Sequence, residues 1–408
     1  MSPIKIGNKK ISNESMNYFV DAINSTERVN GLTHKFYNYP ARFSPKFVNA
    51  AITTFTDVGD TVVDPFLGGG TSLTESRING RRFLGTDLNE LSIFVSKFKS
   101  TILSNNEATE LLNWCDQLPC KLNLRRNKVA SNYLNETSEY KQHLNTKQTW
   151  PIRKILELSL EESQKLSSNK LQNYARGILL KTGQWALDGK AIIPSASQTR
   201  IKLRDFGYET VSSTLEYSKL ARSADRLTEK TSLKRSLIVN TSAENIPKYL
   251  TRVSEESPKL IVTSPPYPGV HVLYHRWQIN GRRETGAPYW ISGKSDGFNE
   301  SHYTFGSRFN KELEEYYFNL LRIFTSLRQI VSNETVIIQL VAFSDFTWQL
   351  ERYLCTMKTA GFKEKRFPSI SHYTDGRLWR DIPNRKWHAN YKGRTNSSFE
   401  VALVHVPE

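Results

Sequence analysis

The feature that most constrains the fold is a glycine-rich loop between an apolar strand and a helix, in the first quarter of the chain. The strand is predicted at residues 61–63, the loop reads DPFLGGGT from Asp64 to Thr71, and the helix extends to Ile78. A second turn then leads into another strand, which ends at Asp87. Strand, glycine loop, helix, strand and acid is the order of a nucleotide-binding βαβ unit, so the sequence predicts an open, mostly parallel α/β sheet.

The residues of this unit are of the types that bind a small cofactor. Gly68 and Gly70 lack a Cβ, so the backbone can turn left-handed and approach a ligand closely. Asp64, at the end of the strand, can accept hydrogen bonds from a cofactor amino group, and Asp87 stands where a carboxylate meets ribose hydroxyls. The loop runs GGGTSLTES and lacks the GxGxxG fingerprint of dinucleotide sites, which favours S-adenosylmethionine as the ligand.

A second motif, TSPPY, follows an apolar strand predicted at residues 260–262. Its residues Ser264, Pro265, Pro266 and Tyr267 therefore lie where open α/β sheets bind their ligands. A base amino group is a poor nucleophile because its lone pair is delocalised into the ring. The Ser264 side chain and the Pro265 carbonyl can accept hydrogen bonds from the amine, while Tyr267 can stack on a base taken out of the double helix. The motif thus predicts methyl transfer to an exocyclic amine.

Composition restricts the class of partner. The 408-residue chain has 56 Lys and Arg against 40 Asp and Glu, a formal net charge of +16. Such a basic excess attracts polyanions, so double-stranded DNA is the expected partner, although a merely soluble basic protein has the same charge. The three cysteines lack metal-ligand spacing, the N-terminus lacks an apolar core, and no long apolar run occurs. We expect a cytoplasmic, nucleoid-associated protein with no membrane contact.

The charge pattern divides the chain into three predicted parts. Residues 1–104 hold the N-terminal part of a catalytic domain with the cofactor-binding unit, and residues 233–408 hold its C-terminal part with TSPPY. Between them, residues 105–232 have helical periodicity, and the stretch 121–235 carries 22 Lys and Arg against 11 Asp and Glu. We expect a mostly parallel seven-stranded sheet, interrupted after its second strand by a helical, basic insertion that is a candidate target-recognition module.

Taken together, the two motifs make the chain resemble the amino-methylating DNA methyltransferases of bacterial restriction-modification systems. VVDPFLGGGTSLTESRINGRRFLGTDLNELS resembles the cofactor unit of that family, TSPPY resembles its catalytic tetrapeptide, and YPARFSPKF resembles the segment that closes over the methionine part of the cofactor. The SPPY form is the one most associated with cytosine N4. The resemblance covers residues 33–100 and 236–345. Many SPPY enzymes place the tetrapeptide before the glycine loop, so this chain is circularly permuted relative to them.

This resemblance implies a Rossmann-like class I methyltransferase fold and assigns roles to individual residues. Ser264, Pro265, Pro266 and Tyr267 would carry the chemistry. VNTSAENIP resembles the adenine-side loop of the family. The cofactor would contact Phe43, Pro45, Asp64, Phe66, Gly68, Gly70, Thr71, Asp87, Ser242 and Ala243. No metal is expected, because the sulfonium of S-adenosylmethionine is already an activated methyl donor.

Two segments that mix basic and aromatic residues are candidates for DNA contact. Residues 271–290 follow the catalytic strand directly, and residues 377–394 lie near the predicted final hairpin. A solvated charged loop is the alternative for the first segment, and core packing of its tryptophans is the alternative for the second. The predicted DNA-binding residues are Arg276, Trp277, Arg282, Arg283, Arg385 and Lys386.

The motifs leave three other functions open. Both adenine N6 and cytosine N4 are exocyclic amines, so the motif alone does not separate the two targets. Some RNA guanine N2 methyltransferases share DPF and PPY motifs. A non-catalytic DNA-binding subunit could keep the same fold. For the favoured function, a cognate restriction endonuclease acting on the same DNA site is a possible partner.

Overall fold

The described part of the chain forms one large mixed sheet with helices on both faces, two small hairpins and a helical insertion. This computed structural model describes residues 4–6, 9–27, 29–39, 42–125, 139–228, 233–269, 276–279, 281, 283–297, 300–307, 313–382 and 398–408. Its strands are β1 Ile4–Ile6, β2 Lys9–Ile11, β3 Thr61–Asp64, β4 Arg82–Asp87, β5 Ser236–Asn240, β6 Leu260–Thr263, β7 Trp277–Ile279, β8 Arg283–Thr285, β9 Val336–Val341, β10 Phe362–Lys365, β11 Leu378–Ile382 and β12 Ser398–Pro407.

The helices are short to medium in length, except for one of 31 residues. They are α1 Asn13–Asn24, α2 Pro45–Phe55, α3 Thr71–Ile78, α4 Glu90–Lys99, α5 Asn105–Lys121, α6 Trp150–Ser163, α7 Asn169–Leu187, α8 Ala196–Arg226, α9 Pro247–Leu250, α10 Ala287–Ser292, α11 Glu300–Tyr303, α12 Glu314–Arg328 and α13 Phe346–Thr359. No helix within the described residues is both long and apolar enough to cross a membrane.

The strand order of the main sheet is β10-β12-β9-β6-β3-β4-β5. Neighbours from β9 to β5 are parallel, and β12 runs antiparallel to both β9 and β10. A parallel sheet with one reversed strand beside its edge is the arrangement of class I methyltransferases. The Rossmann-like fold predicted from the sequence is therefore confirmed.

One strand was not expected. Along the described residues, β11 pairs with residues 398–402 of β12, on the same side of β12 where β10 pairs with residues 404–407. The predicted seven-stranded sheet has one strand at this edge, whereas the structure has two short strands there, β10 and β11. The basic and aromatic character of residues 377–394 concealed this pairing, because charged residues are uncommon in strand patterns.

Alternation along the central strands explains the helices on both faces. Successive side chains of a strand point to opposite faces. Val62 packs on the face covered by α1 and α2, whereas Val63 packs on the face covered by α12 and α13. All four residues of β3 and all four of β6 are buried, as expected for central parallel strands.

The insertion between β4 and β5 packs through glycines at close contacts between its helices. Residues 105–125 and 139–228 contain α5 to α8, which share one hydrophobic core with α4. A Cβ on Gly177 of α7 would overlap the Phe98 ring of α4, and a Cβ on Gly207 of α8 would overlap Cys115 Sγ of α5. The helices therefore approach each other closely. The role of this insertion in target recognition stays a prediction.

The segment after TSPPY docks on the insertion. Trp277, Ile279, Tyr289 and Ile291 are buried in the same core as α7. The Trp277 ring would lie 2.7 Å from a Cβ on Gly183 of α7. The β7–β8 hairpin and α10 are thus packed structure and not a solvated loop over the described residues.

Candidate active site

A cleft opens where the central strands end. It encloses about 990 Å³, including its open mouth, and is bounded by the loops after β3, β4, β5 and β6. The predicted residues on its wall are Phe43, Phe66, Gly68, Thr71, Asp87, Ser242, Ala243, Ser264, Pro265, Pro266 and Tyr267. The glycine loop and the proline pair therefore lie side by side at one sheet edge.

Asp64 joins these two turns. Its carboxylate is fully buried and accepts hydrogen bonds from Thr263 Oγ1 at 2.7 Å, from the Phe66 amide at 3.1 Å and from the Ser72 hydroxyl. Burial raises the pKa of Asp64 to about 6, and these hydrogen bonds oppose the rise. Asp64 is not on the cleft wall, so the predicted contact with a cofactor amino group is replaced by a role in aligning the two loops.

Gly70 also has a structural role. It precedes α3 in the left-handed conformation, with φ +72°, and a Cβ there would lie 2.5 Å from Ser96 Oγ of α4. It does not line the cleft, whereas Gly68 does, with φ +49°. The prediction that Gly70 contacts the cofactor is corrected: it is needed for the close approach of α3 and α4.

Pro45 is the third predicted cofactor residue that lies off the cleft wall. It is the first residue of α2 and is preceded by the N-cap residue Ser44; proline is common at the first position of a helix. Proline at this position has no amide hydrogen to leave unsatisfied and its φ already suits a helix. Pro45 therefore starts the helix that follows the cleft residue Phe43.

Asp87 projects from the end of β4 into the wall of the cleft. One carboxylate oxygen accepts from the Gly68 amide and from Ser92 Oγ, both at 2.8 Å, and the other accepts from the Asn89 amide at 2.8 Å. Burial raises the pKa of Asp87, while these hydrogen bonds lower it. A carboxylate offers about four lone-pair positions, so these bonds fix its orientation and leave capacity for a ligand hydroxyl.

Positive charge lies beside the glycine loop. The Lys99 ammonium is fully buried and donates to the Gly69 carbonyl at 2.8 Å. Burial, together with Arg42 and Lys181, lowers the pKa of Lys99 to about 7. Arg42 lines the cleft and donates to the carbonyls of His34 and Tyr37, and burial lowers its pKa. Anionic groups of a ligand are therefore favoured on this side.

A chain of hydrogen bonds runs away from the predicted catalytic motif. Ser264 Oγ donates to Tyr267 Oη at 3.3 Å, and Tyr267 Oη donates to Glu400 Oε1 at 3.1 Å. Arg380 binds the other oxygen of Glu400, with its Nε at 2.8 Å and its Nη2 at 2.5 Å. On the far side of the motif, Tyr316 Oη donates to the Pro266 carbonyl at 2.7 Å. The tetrapeptide is thus held rigidly.

The predicted DNA-binding residues have different environments. Trp277 is only 1% exposed and donates its Nε1–H to Tyr37 Oη at 3.0 Å, so its predicted stacking on DNA is wrong: it is a core residue. Arg276 is exposed and paired with Asp296 at 2.9 Å, and Arg283 is exposed. Their contact with DNA stays a prediction. Arg282, Arg385 and Lys386 lie outside the described residues.

Sequence reasoning missed several residues of the wall. Tyr39 and Arg42 lie in the same segment as Phe43, and Asn89, the N-cap of α4, lies shortly after Asp87. Their closeness in sequence to predicted site residues could have identified them. Tyr303 and Phe305 carry no such signal. Phe305 has φ +67°, which is uncommon for a bulky residue, and its ring meets the Phe66 ring edge-on at 5.4 Å. The fold alone brings these two aromatic residues to the cleft.

The cleft and the strand order define a class I methyltransferase fold, and sequence comparison finds similarity to one family over part of the chain. Residues 5–97, which include the glycine loop and Asp87, match the N6_N4_Mtase family, described as DNA methylase. Enzymes of this family use S-adenosylmethionine as methyl donor. The family covers both adenine N6 and cytosine N4 methylation.

Curated proteins are similar in sequence to this chain over short segments. The chain is 32% identical over 108 residues to the type II methyltransferase M.MvaI of Kocuria varians, covering 26% of this chain and 23% of the relative. It is 33% identical over 54 residues to the orphan methyltransferase M.BamHII of Bacillus amyloliquefaciens, covering 13% and 20%. The chain thus spans less than a quarter of the length of these curated relatives. Among solved structures, TrmN from Thermus thermophilus aligns with 92% of this chain and 52% of its own, with 9% identity and a TM-score of 0.34.

Proposed function

We propose that this protein is a DNA methyltransferase that transfers a methyl group from S-adenosylmethionine to an exocyclic base amine, with cytosine N4 as the target. The observation that carries the proposal is the common cleft of Asp87, the glycine loop and Ser264-Pro265-Pro266-Tyr267. The similarity of residues 5–97 to DNA methylases supports the same reaction. By the resemblance of its motifs, the protein would be the modification enzyme of a restriction-modification system.

The residues of the cleft fit S-adenosylmethionine. Asp87 would accept hydrogen bonds from the ribose hydroxyls, and Ser242 and Ala243 would lie beside the adenine. Phe43 and Arg42 would border the methionine part, where the Arg42 guanidinium favours its carboxylate. When bound, the cofactor supplies an activated methyl group on a sulfonium.

The protein's task in transfer is to align the amine and to accept hydrogen bonds from it, and the methylated nitrogen then releases its extra proton to water. Ser264 Oγ and the Pro265 carbonyl would accept the hydrogens of the amine and draw its nitrogen toward tetrahedral geometry. Tyr316 fixes the neighbouring Pro266 carbonyl, which keeps the turn in one orientation. Holding the amine against the methyl donor supplies the entropic part of the barrier, so no covalent intermediate is needed.

Nucleoside analysis tests this function. Purified protein is incubated with labelled S-adenosylmethionine and amplified, unmethylated genomic DNA, which is then digested to nucleosides for mass spectrometry. We expect N4-methylcytosine, and Ser264→Ala should abolish its formation while S-adenosylmethionine still binds. N6-methyladenine would refute the base assignment. Label in a parallel RNA sample as N2-methylguanine, with none in DNA, would refute the DNA assignment.

The same experiment addresses the non-catalytic alternative. A DNA-binding subunit that only keeps the fold would bind DNA and incorporate no label. Calorimetry with S-adenosylmethionine separates the two cases, since an intact cofactor site predicts saturable binding. The target-recognition role of residues 105–232 and a cognate endonuclease partner are further parts of the proposal, which mapping of modified sites in expressing cells would test.

A further inference from the structure

We propose that Glu400, held by Arg380, is a positioning residue that keeps Ser264 an acceptor of hydrogen bonds toward the substrate amine. The inference rests on the proposed function, because it concerns the group that Ser264 must accept. Glu400 lies in β12, 133 residues after Tyr267 in the chain, and none of the sequence motifs includes it. Its side chain is buried, and the sheet brings it to the rear of the tetrapeptide.

The hydrogen bonds behind Ser264 can run in only one direction. A carboxylate only accepts, so the Tyr267 hydroxyl must donate its proton to Glu400 Oε1. The Tyr267 oxygen then accepts, and Ser264 donates to it. The Ser264 proton is therefore directed to the rear of the motif, and its lone pairs are left for the cleft. An amine hydrogen needs such a lone pair.

Glu400 is anchored by an ion pair with Arg380. Arg380 stands directly opposite Glu400 in the β11–β12 pairing and donates two hydrogen bonds to Oε2. Burial of an unpaired carboxylate is expensive, and this pairing offsets that cost. It also keeps Oε1 turned to Tyr267. The unexpected strand β11 therefore has a consequence for the site, since it supplies the arginine.

Loss of the carboxylate has a specific chemical effect. An amide at position 400 can donate to the Tyr267 oxygen, which then donates back to Ser264. The Ser264 hydroxyl hydrogen would then point into the cleft. It would face the hydrogen of the substrate amine, so that two donors meet and no hydrogen bond forms. Binding of the cofactor is not affected by this reversal, because Asp87 and the glycine loop are unchanged. The expected defect lies in the transfer step.

A double-mutant cycle tests the inference on the full-length protein. The single-turnover rate of methyl transfer to unmethylated genomic DNA is measured for Glu400→Gln, Tyr267→Phe and the double variant. We expect each single variant to be about 10–100-fold slower, with unchanged affinity for S-adenosylmethionine. The double variant should be no slower than the slower single variant, since Glu400 acts through the Tyr267 hydroxyl.

Two controls separate positioning from folding. Tyr267→Phe leaves the Arg380–Glu400 pair intact, so it breaks the chain without unpairing a buried charge. Glu364→Gln is the matched control, because Glu364 also lies in a strand and accepts from an arginine, Arg377, at 2.6 Å, without a link to the motif. We expect it to methylate at the wild-type rate.

The outcomes are distinct. Wild-type rates in Glu400→Gln, or a double variant whose loss is the product of the two single losses, would overturn the positioning role while leaving the proposed function in place. A wild-type protein that transfers no methyl group to DNA would overturn the proposed function, and this inference with it.

Discussion

Replacement of Gly70 by alanine should destabilise the protein through two separable effects. Gly70 has φ +72°, where a side chain costs about 1–2 kcal/mol. The new Cβ would also lie 2.5 Å from Ser96 Oγ and 3.0 Å from Ser96 Cα, so α3 and α4 must move apart. Overpacking of this kind costs about 1–3 kcal/mol. The two together give a loss of about 2–5 kcal/mol in the free energy of unfolding.

Gly189 provides the matched control for the backbone effect. Its φ is +65°, close to that of Gly70, but no described atom lies within 4 Å of the position that a Cβ would take there. Gly189→Ala should therefore lose only about 1–2 kcal/mol. Urea denaturation followed by circular dichroism measures both variants, and Ser96→Gly in the Gly70→Ala background should restore part of the packing loss.

The comparison can fail in a clear way. Equal losses for Gly70→Ala and Gly189→Ala would show that the approach of α3 to α4 has no energetic weight. A Gly70→Ala protein as stable as the wild type would refute both the strain and the packing arguments. Affinity for S-adenosylmethionine provides an independent check, because a native-like Gly70→Ala protein should keep it, Gly70 lying off the cleft wall.

Three further predictions concern the site and its surroundings. Asp87→Asn should weaken S-adenosylmethionine binding about 10–100-fold in calorimetry, since it removes a charged acceptor; unchanged affinity would contradict the ribose contact. The pKa of Lys99 is about 7 in the folded protein, below its unfolded value of 10.5. Between these two pH values the unfolded chain binds more protons than the folded protein, so the free energy of unfolding should rise with pH. Lys99→Met should flatten this rise in denaturation curves measured from pH 6.5 to 9.5. Trp277→Ala should lower the free energy of unfolding by about 3–5 kcal/mol, whereas Arg283→Ala should leave it unchanged and weaken DNA binding in gel-shift titrations; the reverse pattern would restore Trp277 as a DNA contact.

The central part of the fold was predictable because its signals are local. The glycine loop needs its glycines within a few residues, and the Ser44-Pro45 pair marks the start of α2. A short run of apolar residues, such as the one that forms β6, indicates a buried parallel strand by its composition alone. The insertion of helices between β4 and β5 likewise follows from helical periodicity.

Roles that depend on partners distant in sequence were not predictable. Asp64 and Asp87 both follow apolar strands, yet one is buried against Thr263 and the other faces the cleft. The neighbouring strand decides which of the two carboxylates faces the cleft. The local sequence does not reveal this, because both acids stand at the end of an apolar strand. Trp277 looks like a DNA-stacking residue beside its basic neighbours until α7 is known to cover it.

The sequence by itself determined the type of sheet, the two turns that meet at its edge and the chemistry their residues can perform, because each depends on neighbours a few positions away. Tertiary structure alone decided that Glu400 and Arg380 stand behind the tetrapeptide, that Phe305 reaches the cleft, and that Asp64 links the turns. Such contacts join segments that are far apart in the chain, as with Asp64 and Thr263, which are separated by 199 residues. They arise from strand order and register, which the burial of whole faces selects and no local pattern encodes.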